Sequence, residues 1–389
     1  MRGRALAALV FGLAPFAAQA SPYRLRGDAL VQARDPSGVI ALDGQGEITK
    51  ELGIEVLLWA GAGGEPSPEG DLLVAALSYR DAQGRGEVRA GRLIVSSGAL
   101  WPLQLDGLVA LVRLPTRTTL EVFGGMPVVP RFGARSWDWA AGGRIAQNYQ
   151  FSTIGLGYLQ QRTGGMLERH ELAADLALFP GTVFDLAARG SLDLISMGPA
   201  ELAVTAAANV GAFRVEAFGA HRSPSRLLPA TSLFSVLGDR AVRNFGARVG
   251  YQLTPRLWVE GGAGGRLFDD TPYEDLVLRA RLALGPQASA GSVGLEMHRQ
   301  GAPLGGWTGV RAFARFPLVS QVSAAVELEL VGPDQAGDRG GLWPWGLVGV
   351  SWTPLTSWEL AAALEASSTP ESARSFDAVF RVAYLWGDS

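Results

Sequence analysis

From Phe184 to Leu194 one parity of the chain reads Phe184, Leu186, Ala188, Gly190, Leu192 and Leu194. The other reads Asp185, Ala187, Arg189, Ser191 and Asp193. A period of two with one apolar and one polar face predicts a half-buried β-strand. After a polar break at Ser196 to Pro199, Glu201, Ala203 and Thr205 alternate with Leu202, Val204 and Ala206. Beyond Gly211 the rule resumes with Phe213, Val215 and Ala217 against Arg214 and Glu216.

Applied to the whole chain, the pattern marks twenty-two segments. Those before Gly143 lie near Leu25 to Ala33, Val39 to Asp43, Glu51 to Ala60, Asp71 to Arg80, Glu87 to Val95, Leu105 to Arg113 and Thr118 to Phe123. Gly143 to Asn148, Ser152 to Gln161 and Glu168 to Leu178 lead into the three segments above. The rest are Ala241 to Leu253, Leu257 to Leu267, Asp275 to Leu284, Ser292 to Arg299, Gly309 to Phe316, Val322 to Leu330, Gly346 to Trp352, Trp358 to Ala366 and Phe376 to Trp386. Tight turns (Gly211 and Ala212, Thr254 and Pro255, Leu318 to Ser320, Pro354 to Ser357) alternate with longer breaks (Ser223 to Arg240, Phe268 to Tyr273, Gly301 to Gly305, Gly332 to Gly341, Ser367 to Ser372). One rim of short turns and one of long loops is thus expected, with both termini on the short side.

The first residues add a cellular context. Arg2 and Arg4 precede an apolar run of roughly a dozen residues, and Ala18, Gln19 and Ala20 stand before Ser21, the order of a secretory leader cleaved after Ala20. No later stretch reaches the roughly 18 uninterrupted apolar residues of a membrane helix, so a membrane-inserted form would cross as strands. The mature region, 21–389, carries no linker and reads as one domain.

Leader, hairpin repeat, alternating loop lengths and aromatic strand ends together resemble bacterial outer-membrane β-barrel proteins, porins among them. The last segment resembles the closing strand such proteins present to the barrel assembly machinery. Its Phe376, Ala378, Phe380, Val382, Tyr384 and Trp386 share one parity, although Gly387, Asp388 and Ser389 follow the aromatic end. The resemblance implies an all-β, closed antiparallel barrel of about 16 to 22 strands in the outer membrane of a Gram-negative bacterium, with short periplasmic turns and longer extracellular loops.

Composition narrows the chemistry. The chain has no cysteine and three histidines, His170, His221 and His298, and a net charge of −3. No disulfide, thiolate metal site, cofactor or nucleic-acid partner is expected. With the apolar parity toward lipid, the interior would receive Asp185, Arg189, Arg214, Glu216, Arg248, Glu260, Arg279, Arg281, Glu296, Arg311, Arg315, Glu327, Glu329, Glu359, Glu365 and Arg381. Both signs are present throughout, and Arg311 falls near Glu327 across one hairpin. A lining of this kind suits a water-filled, porin-like channel or passive transporter for small solutes; it equally suits charge ladders that serve structure.

Two other readings stand beside it. His221 and Ser223 lie two apart at the long-loop end of a strand. A His-x-Ser pair there resembles that of outer-membrane phospholipase and lipid A deacylase barrels, in which the histidine activates the serine; no third group is assigned, since Asn244, near in sequence, falls on the lumenal parity. The barrel could also sheath or scaffold a periplasmic or surface partner. Finally, the connection SPSRLLPATSLFSVLGD holds Leu227, Leu228, Leu233 and Phe234, too apolar to face water, and is expected to fold over or into the mouth and narrow it, to rest on the outer leaflet, or to pack against another surface loop. The stretch Gly124 to Trp137 is expected to do likewise.

Overall fold

The computed structural model describes residues 23–34, 37–63, 69–128, 138–223, 241–268, 271–286, 289–303, 305–335, 341–368 and 374–387. Twenty-two strands follow one another. They are β1 (Tyr23–Gln32), β2 (Ser37–Glu47), β3 (Leu52–Ala62), β4 (Glu69–Arg80), β5 (Gly86–Val95), β6 (Leu103–Arg113), β7 (Thr118–Pro127), β8 (Trp139–Asn148), β9 (Ser152–Thr163), β10 (Met166–Leu178) and β11 (Phe184–Asp193). The second half holds β12 (Gly198–Val210), β13 (Phe213–Arg222), β14 (Val242–Thr254), β15 (Leu257–Phe268), β16 (Thr271–Leu284), β17 (Gly291–Gln300), β18 (Trp307–Val319), β19 (Val322–Pro333), β20 (Trp343–Leu355), β21 (Trp358–Ser367) and β22 (Ser375–Trp386). No α-helix occurs among the described residues.

Each strand pairs antiparallel with its sequence neighbours. β1 also pairs with β22, from Leu25 opposite Trp386 to Gln32 opposite Val379, so the sheet closes. Closure removes both sheet edges and pairs their backbone groups. At ~4.8 Å between strands and a tilt of about 40°, 22 strands enclose a ring roughly 45 Å across if its section is circular.

Because the side-chain period is two, register carries facing from strand to strand. One face holds Leu202, Val204, Phe213, Val215, Leu278, Leu295, Val310, Leu328, Val348 and Leu364, each more than two-fifths exposed, with no core covering them. This is the outer face. At the rim with the termini it carries aromatics: Phe213 stacks on Tyr251 with ring centroids 4.4 Å apart, and Trp358 lies 4.6 Å from Tyr384. Connections on that rim run from two to six residues, against two to nineteen on the other.

Several boundaries differ from the sequence expectation. Gly124 to Pro127 is not loop but the end of β7, and β8 begins at Trp139 rather than Gly143. Phe268 to Tyr273 is no long break, since β15 and β16 pair through Phe268 and Thr271. The first 22 residues, the segment bearing Leu227, Leu228, Leu233 and Phe234, and residues 129–137 lie outside the described residues.

Candidate functional site: the inner wall and an inward-folded flap

The inner face of β11 to β22 is a field of charge. Asp185, Arg189, Arg214, Glu216, Arg248, Glu260, Arg279, Arg281, Glu296, Arg311, Arg315, Glu327, Glu329, Glu359, Glu365 and Arg381 all fall on the parity opposite the apolar outer positions. Register sets Glu260, Arg279, Glu296, Arg311 and Glu329 side by side on five successive strands, with alternating sign. Arg279 meets Glu296 at 2.5 Å and Glu260 at 3.9 Å. Arg311 bonds Glu327 at 2.6 Å, although Glu329 is its direct register partner; the hairpin turns at Ser320 and Gln321, so this pair is diagonal. Arg381 holds Asp28 at 2.7 Å across the closing seam and Glu359 of β21 at 3.4 Å. Arg248, Arg281 and Arg315 have no ion pair among the described residues; the Arg248 guanidinium lies 5.3 Å from the Phe218 ring centroid.

The other half of the inner wall is different, and the sequence reading missed it. Leu93, Val95, Ala99, Leu100, Leu103, Leu105, Phe123, Leu159 and Ala173 join Val74 and Ala76 in one buried cluster. Leu93, Leu105 and Leu159 are wholly removed from solvent, and burial of such a side chain contributes ~1.5–3 kcal/mol. The connection from Ser96 to Pro102 reaches across the inside to β8, β9 and β10. Leu100 packs so close to Gly157 that a Cβ there would stand 3.0 Å from its side chain. The Trp101 N–H donates to Glu171 Oε2 at 3.4 Å, and the Arg169 guanidinium sits 4.2 Å over the Trp101 ring. Beside Gly98 the Arg144 guanidinium donates to both Asp175 carboxylate oxygens, at 2.9 and 2.5 Å.

Three strands bend to make this possible. Gly91, Gly107 and Gly125 are direct register partners on β5, β6 and β7, a row of glycine across three strands. Gly91 has φ +127°, and a Cβ there would run into the Ala75 carbonyl; a Cβ on Gly107 would stand 2.6 Å from the Gly125 Cα. Glycine kinks are the means by which sheets bend sharply. Beyond the row, β5 leaves β4: pairing runs only from Ala75–Arg92 to Arg80–Glu87, and residues 70–74 of β4 find register partners on β3 only, with a bulge at Leu73. Side chains bridge the gap instead. Arg92 donates to the Leu72 carbonyl at 3.1 Å and Gln104 to the Leu73 carbonyl at 2.8 Å, while Arg92 also grips Asp106 at 2.7 and 3.1 Å. We call Arg92–Val95, the connection 96–102 and Leu103–Asp106 the flap. Its sequence signal is Leu93-Ile94-Val95, apolar on both parities where the inner one should be polar.

His221 faces outward on β13, opposite Leu202 and Arg243. Ser223 follows the strand and donates its N–H to the Ala200 carbonyl at 2.9 Å. No hydrogen bond joins the His221 ring to Ser223 or to another described side chain. His170, also outward, meets the Tyr158 hydroxyl at 3.0 Å, and inward His298 meets Asp275 at 2.9 Å. No group of three or more metal-ligating side chains exists among the described residues.

No family model matches the chain, nor does the sequence of any curated protein. Solved structures do match in fold. The translocation pore of the P pilus usher PapC superposes with a TM-score of 0.52 at 9% identity, covering 94% of this chain and 99% of that one. The ferric enterobactin receptor PfeA of Pseudomonas aeruginosa, as a double mutant, gives 0.60 at 8% identity, over 94% and 81%. The copper transporter OprC gives 0.58 at 10% identity, over 96% and 81%. The chain thus has the closed barrel architecture of bacterial outer-membrane proteins.

Proposed function

We propose that this protein resides in the outer membrane of a Gram-negative bacterium as a channel or passive transporter for small solutes. The observation that carries the reading is the contrast between faces: an outer wall apolar on nearly every strand, and an inner wall of opposed charges around an interior wide enough for water. The flap occupies one side of that interior. Solutes would pass between it and the charged wall of β11 to β22, where neighbouring signs leave little net preference for cations or anions. The transporters among the structures of similar fold support the same reading.

In this setting the leader directs export and is cleaved near Ala20, and the barrel assembly machinery inserts the chain through its last strand. The rim with the termini then faces the periplasm and the long-loop rim the exterior. Outer-membrane lipid covers the apolar band. Single-channel recording in a planar bilayer tests the proposal: folded protein gives a stable ohmic conductance, whereas folded protein that leaves the bilayer insulating refutes it.

A further inference from the structure

We infer that the flap is a gate, hinged on the glycine row Gly91, Gly107 and Gly125, with the bent form seen here as its closed position. The argument begins with the ladder. Residues 70–74 of β4 pair toward β3 except at a bulge on Leu73, and have no register partner on β5, although β5 continues through Val95. Straightening β5 about Gly91 would bring Leu93, Ile94 and Val95 level with that free edge. The same strand therefore has two ways to satisfy its surroundings: bent, it buries Leu93, Val95, Leu103 and Leu105 against the inner wall; straight, it completes the sheet.

Both positions are provided for. Bent, the flap is held inside by Trp101 on Arg169 and Glu171, and by Leu100 seated over Gly157. The break in the outer wall is closed by Arg92 and Gln104 on the Leu72 and Leu73 carbonyls. Those two carbonyls lie on the stretch of β4 left without a β5 partner, so the side chains hold the place that the straight ladder would take. A bend in all three strands at one register makes the flap move as a body. Outward movement would withdraw Leu100 and Trp101 from the interior and widen the passage.

The effect on transport rests on the channel reading, so the test has two arms. The chain lacks cysteine, which leaves introduced pairs unambiguous. In the first arm, spin labels at Ile94→Cys on the flap and Ile145→Cys on β8, both outward and about half exposed, report their separation in lipid vesicles. Two populations are expected, differing by on the order of 10 Å, since Ile94 lies three residues, about 10 Å of strand, beyond the hinge. A single narrow distance overturns the inference, whether or not the protein conducts. In the second arm, Leu100→Cys with Gly157→Cys forms a disulfide that pins the flap inward. Conductance is expected to rise on the order of twofold when it is reduced. Two distance populations with equal conductance in both redox states would leave a mobile flap that gates nothing, and would equally overturn the proposal.

Discussion

Gly91 shows how much one residue can decide here. Its φ of +127° is open to glycine and strained for any L side chain. Gly91→Ala adds a methyl directed at the Ala75 carbonyl. We expect it to destabilise the folded barrel by about 1–3 kcal/mol, read as a lower urea midpoint for unfolding from vesicles. The Arg144–Asp175 pair makes a second test, because both side chains are only about one-fifth exposed beneath the flap. Asp175→Ala would leave a guanidinium without its partner in a dry setting, at a cost of ~2–3 kcal/mol. Asp175→Asn, which keeps an acceptor, should cost less; equal losses would point to packing instead. Asp334 offers a pH test at the long-loop rim. Its hydrogen bond from Arg299 holds the carboxyl below its ordinary value, with burial opposing and the Gly306 N–H assisting. A lowered value means the link is complete above about pH 4 and fades as pH falls through it. Hydrogen exchange at Gly306, corrected for intrinsic rate, should show protection lost in that acidic range, and absent at every pH in Asp334→Ala.

The same residues acquire their meaning from the strands that carry them. Glu260, Arg279, Glu296, Arg311 and Glu329 form a ladder because antiparallel register places them opposite one another, and each such pair contributes roughly 0.2–1 kcal/mol. Glu296→Gln removes one negative rung and leaves Arg279 with only the more distant Glu260. Stability should barely move while the zero-current potential under a salt gradient shifts toward anions; an unchanged potential would place this wall outside the conducting path. That these charges share a parity was legible in sequence, because period two groups them before any pairing is known, but the register that lines up the five was not. All twenty-two segments were legible for the same reason, down to Arg311 meeting Glu327. What escaped was the end of β7 and start of β8, where Gly124-Gly125 and Ala140-Ala141-Gly142-Gly143 carry no side-chain contrast to alternate. The flap escaped too. A glycine reads as a turn signal along one strand, and only register reveals that Gly91, Gly107 and Gly125 form a line.

For the molecule as a whole, closure through β1 and β22 sets both termini on one rim, and an even strand number requires it. That rim has the shorter connections, while the opposite one bears the flap and the long loops; outward aromatics stand at both, Phe213 and Trp358 at the first and Trp139 and Phe376 at the second. Orientation is therefore fixed by which rim crosses the membrane during insertion, and the short-turn rim is the one expected to stay in the periplasm. Met197 stands in the four-residue connection after β11, nearly three-quarters exposed on the long-loop rim, and Ala212 in the two-residue turn before β13 on the other. In the cysteine-free chain, Met197→Cys should react with a membrane-impermeant maleimide on intact cells. Ala212→Cys should react only after the outer membrane is broken. The reverse pattern would invert the barrel and put the flap on the periplasmic side, where it would meet solutes leaving rather than entering. Reaction of neither residue in intact cells, with both labelled after lysis, would take the protein out of the outer membrane altogether.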